Sequence, residues 1–275
     1  MSPLVLLAVG GFGLLIGSFL NVVAYRVPIG MSVVRPASAC PGCGSGIAAR
    51  DNVPLLSWAL LRGACRHCRM PISVRYPLVE AVTGVAFAVA ALPFLPAIAR
   101  AGEPRLVVAG ALELVAYLYL AAISVVLAVI DLDVRRLPDR IVLPAYLVGG
   151  GLLGAVDLLR GDLGAAGLAA AGAAISVAFY LALALAKPGG MGLGDVKLAG
   201  VLGLFLGQAG LPALLVGTFA AFFLGGLFGA VLLITRRTTR SSAIPFGPWM
   251  LAGAWVGVLF GAPVTTAYLT TIGIA

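Results

Sequence analysis

Apolar positions along this chain come in long, nearly unbroken runs, separated by short stretches rich in Arg, Asp, Gly and Pro. A helix that crosses a bilayer needs about 20 mostly apolar residues. Eight runs qualify: 3–25, 77–99, 106–130, 141–158, 163–186, 194–207, 212–235 and 248–272. The sixth is short and rich in glycine. The pattern predicts an all-α, polytopic membrane protein with about eight transmembrane helices and one small loop domain, residues 26–76. The first run lacks a basic leading segment and a small-x-small cleavage site, so it reads as a membrane anchor rather than a cleaved signal.

Composition excludes other classes. Hydrophobic residues make up 61% of the 275 positions and charged residues 10%, against about 45–50% and about 25% in an ordinary soluble domain. Too few polar side chains remain to coat a water-exposed surface, and disorder is excluded by the same apolar excess. The 37 glycines show no three-residue period, which excludes collagen.

Charge gives the orientation. With eight spans the loops alternate sides, and one side holds 26–75, 131–140, 187–197 and 236–240, which carry 15 of the 18 Lys and Arg residues. The positive-inside bias places that side in the cytoplasm and both termini outside. The net charge of +8 is thus a topology signal, with some attraction to anionic lipid, and no nucleic-acid partner is expected.

All four cysteines fall in the long loop, as Cys40-Pro-Gly-Cys43 and Cys65-Arg-His-Cys68. Two CxxC pairs at this separation fit a four-thiolate zinc site, each pair directing two sulfurs from one tight knuckle at a single ion. His67 reads as a bystander. The competing reading is two disulfides or redox pairs, which a cytoplasmic location disfavours. A loop this small buries little core, so a structural metal would act as its folding staple. Four cysteines leave no open position for catalysis.

Carboxylates beside apolar segments must be paired, hydrated or used. Asp131, Asp133 and Asp139 follow the third run, and Asp195 opens the sixth within Gly192-Leu-Gly-Asp195. Both stretches fall on the same side. Two aspartates sharing one proton can hydrolyse a peptide bond, one activating water while the other hydrogen-bonds the carbonyl. Taken singly, each Asp reads as a solvated interface residue, and Asp139 after Pro138 as a cap for the next helix. A Gly-rich turn bearing a carboxylate would also suit a transporter's ion path.

The combination resembles the bacterial prepilin peptidases, also called type IV leader peptidases, a family of GxGD-type membrane aspartic proteases. The similarity covers essentially the whole chain: Gly17-Ser-Phe-Leu-Asn-Val-Val-Ala-Tyr-Arg-Val-Pro28, the double CxxC, Arg75-Tyr-Pro-Leu-Val-Glu80, Asp131 with Leu137-Pro-Asp139, and Gly192-Leu-Gly-Asp195. The resemblance implies catalytic aspartates at Asp131 and Asp195. Asp131 is preferred to Asp133 for its offset from Asp139. Supporting roles fall to Asp133, Asp139, Gly192, Gly194 and Lys197, the last either biasing the dyad or binding a headgroup. It also implies a zinc ligand set of Cys40, Cys43, Cys65 and Cys68. Residues 1–105 would form an N-terminal region with a methyltransferase part, and 106–275 a six-span peptidase domain.

The expected location is the bacterial inner membrane, with the catalytic and zinc loops facing the cytoplasm. Expected substrates are type IV prepilins or pseudopilins, whose short basic leader is removed, with S-adenosylmethionine as donor for N-methylation of the new terminus. No Rossmann fingerprint marks a donor site. Glu80, Arg26 and Glu113 are candidates, although either Glu could instead be a protonated group bonding a neighbouring helix. A transporter, or a secretion-assembly factor that uses the zinc loop only for binding, are the rival readings.

Overall fold

The computed structural model describes residues 3–187, 190–235 and 245–273. These residues form α1 (Pro3–Arg26), α2 (Leu56–Leu60), α3 (Arg75–Ala91), α4 (Phe94–Arg100), α5 (Pro104–Val134), α6 (Asp139–Arg160), α7 (Leu163–Ala186), α8 (Leu193–Gln208), α9 (Leu211–Ile234) and α10 (Gly247–Thr271). Among the described residues the only β-type pairing is two isolated bridges in the long loop. The basic stretch 236–240 lies outside the described residues.

All eight apolar runs are helical, but they are unequal as spans. Six helices (α1, α5, α6, α7, α9 and α10) are long and apolar enough to cross a bilayer, and α3 with α4 makes a seventh if counted as one span bent by 41°. Pro93 stands at that break, where a missing N–H and ring crowding interrupt a helix. The run at 194–207 became α8, whose 16 residues reach about 24 Å at 1.5 Å per residue, short of a core about 30 Å thick. Ten of its residues are buried, from Val196 to Gly207. A helix jacketed by other helices need not match the lipid, and this is why the count of about eight narrows to six or seven on length and composition.

Glycine explains how the helices pair. In a bilayer, small residues let backbones approach closely, since lipid offers no apolar penalty that would drive association. A Cβ added at Gly13 would lie 2.9 Å from the Gly84 Cα, and one at Gly17 would lie 2.7 Å from the Glu80 Cα, so α1 and α3 meet backbone to backbone. At Gly172 and Gly207 an added Cβ would fall 2.4 Å and 2.3 Å from carbonyl oxygens of the partner helix, which locks α7 to α8. Gly253 and Gly257 do the same for α10 against α9. Large side chains such as Leu4, Leu7, Phe219 and Phe223 stay exposed on the outward faces, where lipid is the solvent.

These pairs assemble around α5, which buries Tyr117, Leu120, Leu127 and Ile130. Polar ties fix the arrangement. The Tyr117 hydroxyl donates to the Phe205 carbonyl at 3.1 Å, the Trp255 indole to Ser124 Oγ at 3.1 Å, and the Gln208 carboxamide to buried Asp157 at 2.7 Å. Helix ends meet as an alternating path requires. The end of α5 meets the starts of α3 and α10, the start of α6 meets that of α8, and the end of α6 meets the first half of α5.

Candidate active site

The helical run of α5 does not stop where the apolar residues stop. It continues through Val134 and closes on Arg135 in a left-handed conformation (φ 52°), whose N–H bonds back to the Asp131 carbonyl at 2.9 Å. Asp131 and Asp133 therefore stand in the last turn of a helix rather than in a loop. Two residues apart on a helix is about 200° of rotation, so their side chains leave on nearly opposite sides. Asp131 turns inward, is only 5% exposed, and its Oδ2 accepts the backbone N–H of Gly247 at 3.1 Å. Asp133 turns outward, exposed, and pairs with the guanidinium of Arg75 at the start of α3.

Asp195 occupies the first turn of α8, half-buried, and its Oδ2 accepts the Gly192 N–H at 3.0 Å. Both glycines of the motif answer to crowding. A Cβ at Gly192 would lie 3.3 Å from that same oxygen, and one at Gly194 would lie 3.2 Å from the Leu137 Cβ. Buried Leu137 reaches across to α10 as well, since a Cβ at Gly247 would meet its Cδ2 at 3.4 Å and the Asp131 Oδ2 at 2.7 Å. The starts of α8 and α10 and the end of α5 thus close around one leucine, which brings Asp131 and Asp195 to the same end of the bundle.

The expected supporting residues divide. Lys197 Nζ donates to both oxygens of Asp139, at 2.8 and 2.9 Å, so it pairs with that carboxylate and not with Asp195. Asp139 is the first residue of α6, behind Pro138 at the N-cap position, and makes no capping bond. The cap role is thus replaced by a strut between α6 and α8, reinforced by the Tyr146 hydroxyl donating to the Lys197 carbonyl at 2.6 Å. Exposed pairs of this kind contribute about 0–1 kcal/mol, so their value is positional.

The cysteines converge. All four sulfurs lie within 4.8 Å of one another, and Cys40 Sγ is 3.7 Å from Cys68 Sγ. A tetrahedral zinc with Zn–S bonds of about 2.3 Å sets its sulfurs about 3.8 Å apart, so the donors fit that ion. The loop reaches this geometry by using one device twice, 25 residues apart. Bridges Ala39–Gly46 and Ala64–Pro71 frame two knuckles, in which Cys40 N–H bonds Ser45 O and Cys65 N–H bonds Met70 O, each at 2.9 Å. Gly44 (φ 70°) and Arg69 (φ 60°) hold the same left-handed corner. The Ser45 hydroxyl and amide lower Cys43 to about 6. Cys68 stands at about 11, pulled down by the Met70 amide but pushed further up by partial burial and the other three sulfurs. Four thiolates this close need a cation between them. All four cysteines are free thiols rather than disulfides.

Glu80 is buried and accepts the Leu55 N–H at 2.8 Å, so it anchors the loop to α3. Glu113 pairs with Arg160. Glu113 thus bonds a neighbouring helix, α6, and sits 18 residues before Asp131, about 27 Å along α5. Arg26 is different. It ends α1, is 8% exposed, donates to Ser32 O at 3.0 Å, and lines a cleft of about 320 Å³ between α1 and the segment 33–38. Sequence reasoning missed Gly247, and it quoted Arg75 in a motif without its partner Asp133. The only local signal for Gly247 was its place in Pro245-Phe-Gly-Pro248, a Pro/Gly cluster opening the last span.

Comparison with known proteins extends the resemblance. Residues 12–94 match the model of the bacterial peptidase A24 N-terminal domain, and residues 118–234 that of the type IV leader peptidase family. A prepilin leader peptidase/N-methyltransferase of Aeromonas salmonicida (strain A449) is 38% identical, covering 95% of this chain and 92% of its own length. Proteins of the same name from Neisseria gonorrhoeae and Bacillus subtilis (strain 168) are 33% and 31% identical, covering 93% and 94% of this chain and 91% and 95% of theirs. No solved structure matches. The relatives offer nothing to the transporter reading.

Proposed function

The chain belongs to the type IV leader peptidase family, and from that premise we propose that it cleaves the basic leader from prepilins or pseudopilins and N-methylates the terminus it exposes. The observation that carries the first reaction is the placement of Asp131 and Asp195 at one end of the helix bundle, around Leu137, each accepting a glycine N–H. Asp131 and Asp195 are the catalytic pair. One carboxylate, ionised, takes a proton from water, and the other, protonated, hydrogen-bonds the scissile carbonyl. The oxygen of that water attacks the carbonyl carbon, and the leaving amine collects a proton as the bond breaks. That end of the bundle faces the cytoplasm, since 15 of 18 basic residues fall on its side, which is where a basic leader would wait.

Purified protein incubated with a prepilin-like peptide tests the reading. A mass loss equal to the leader is expected, and an intact peptide with wild-type protein would sink it. Gly247→Ala gives a sharper measure, because the new Cβ must displace the Asp131 carboxylate it would touch at 2.7 Å. Misplacement by an ångström costs roughly 100-fold, so kcat for cleavage should fall by about that factor with KM little changed.

Zinc, held by Cys40, Cys43, Cys65 and Cys68, supplies a fixed cross-link between the two knuckles. The donor for methylation is S-adenosylmethionine, and the acceptor is the amine freed by cleavage. The two reactions are separable. The Asp131→Asn, Asp195→Asn double variant, given a pre-cut peptide and labelled donor, is expected to transfer label to the peptide N-terminus at close to the wild-type rate. Transfer by wild type but not by the double variant would mean one shared site.

A further inference from the structure

One buried charge has no counterpart in the scheme above. Arg26 is 8% exposed, and among the described residues its guanidinium makes a single hydrogen bond, to the neutral carbonyl of Ser32. Carboxylates in the described residues go elsewhere: Asp51 to Arg66, Asp133 to Arg75, Glu103 to Arg105, Glu113 to Arg160 and Asp139 to Lys197 as ion pairs, while Glu80, Asp131, Asp157, Asp162 and Asp195 accept N–H bonds from other residues. Burying an unpaired guanidinium beside the membrane is costly, and this one lines a cleft of about 320 Å³. Ser18, Phe19, Val22, Ser38 and Asn52 share the lining. A space of this size takes a small molecule of cofactor dimensions.

We infer that this cleft binds the methyl donor, with Arg26 holding its α-carboxylate. The inference rests on the methyl-transfer reading and names its site. A guanidinium matches a carboxylate in a two-toothed arrangement that a lysine does not reproduce. Ser18 lies eight residues before Arg26 on α1, about 12 Å along the helix, with apolar Phe19 and Val22 between them and Leu15 beyond. An adenosyl amino acid offers a carboxylate to Arg26, and its base carries hydrogen-bonding groups that Ser18, Ser38 or Asn52 can meet. A phospholipid shares the anionic headgroup chemistry and is tested as a competitor. The aromatic face of Phe19, half exposed, suits the positive sulfonium or the flat base.

A binding cycle tests this on the full-length protein in zwitterionic lipid nanodiscs, read by equilibrium titration without any turnover. The probes are S-adenosylmethionine and its decarboxylated analogue. Wild type should bind the analogue roughly tenfold to hundredfold more weakly, the range for a charged hydrogen bond. Arg26→Gln should bind the two alike, at the analogue's level, which also reports an intact cleft. Equal binding of both probes by wild type overturns the assignment whatever the variant does. So does a carboxylate preference that survives in Arg26→Gln. Adding phosphatidylglycerol distinguishes the lipid source: if it displaces the donor from wild type and not from Arg26→Gln, the arginine serves the headgroup and the inference fails. If wild type binds donor and methylates pre-cut peptide but lacks the preference, only the assignment to this cleft falls. If wild type transfers no methyl group, the methyl-transfer reading itself falls.

Discussion

Asp131→Asn and Asp195→Asn should each bring leader cleavage down by at least roughly 10²–10⁴-fold, the range over which positioned acid–base groups act, while the protein still inserts and folds. An amide can neither take a proton from water nor pass one to a leaving amine, so neither partner tolerates the change. Asp133→Asn is the control. Its carboxylate leaves α5 on the far side, pairs with Arg75 and is solvent-exposed. Loss of an exposed pair costs about 0–1 kcal/mol, so cleavage should stay within about fivefold of wild type. Steady-state cleavage of a prepilin-like peptide, followed by mass spectrometry, separates the cases. A dead Asp133→Asn beside a near-normal Asp131→Asn would transfer the assignment to the wrong face of the helix and sink it.

Loss of metal should be equally severe for the loop that follows α1. Between Arg26 and Arg75 the structure holds a three-residue 3-10 turn, a five-residue helix and two knuckles. Buried residues there are few: Cys40, Ser57 and Cys65 carry much of the interior. Zinc binding to such small units is worth about 10–16 kcal/mol in isolation, more than so slight a core can supply. Elemental analysis should find one zinc per chain. Cys40→Ser or Cys68→Ser should release it, open residues 27–74 to protease and abolish methyl transfer, with the helical circular dichroism of the membrane part kept. Protein prepared without chelator that contains no zinc, with its thiols paired as two disulfides, would refute the site.

Much of this was legible in the sequence where the signal is local. Length of apolar run sufficed for the helices, and CxxC spacing for the sulfurs that now stand within 4.8 Å. Asp131, Asp133, Asp139 and Asp195 stood out because carboxylates are rare beside such runs, and the choice of Asp131 and Asp195 came from the family resemblance. What escaped depends on residues far apart in the chain. Nothing near Asp131 points to an amide 116 positions away, and the Arg75–Asp133 and Lys197–Asp139 pairs each join residues 58 apart. The end of α5 was misplaced for a different reason. Hydropathy stops at Ile130, but a helix stops where its backbone does, and the left-handed Arg135 comes five residues later. The second knuckle hid its symmetry with the first by placing Arg69 where Gly44 stands, a conformation arginine enters only at some cost.

The bond from Gly247 to Asp131 also sets an order in time. Ribosomes deliver the chain from its amino end, so α5 is in the bilayer well before α10 has been made. Until residue 247 arrives, the Asp131 carboxylate lacks the amide at 3.1 Å that holds it, and Leu137 lacks the wall that α10 gives it. On the proposed pairing, the nascent polypeptide carries both carboxylates before the site that holds them is complete. Cleavage is then expected only once α10 has docked against the end of α5.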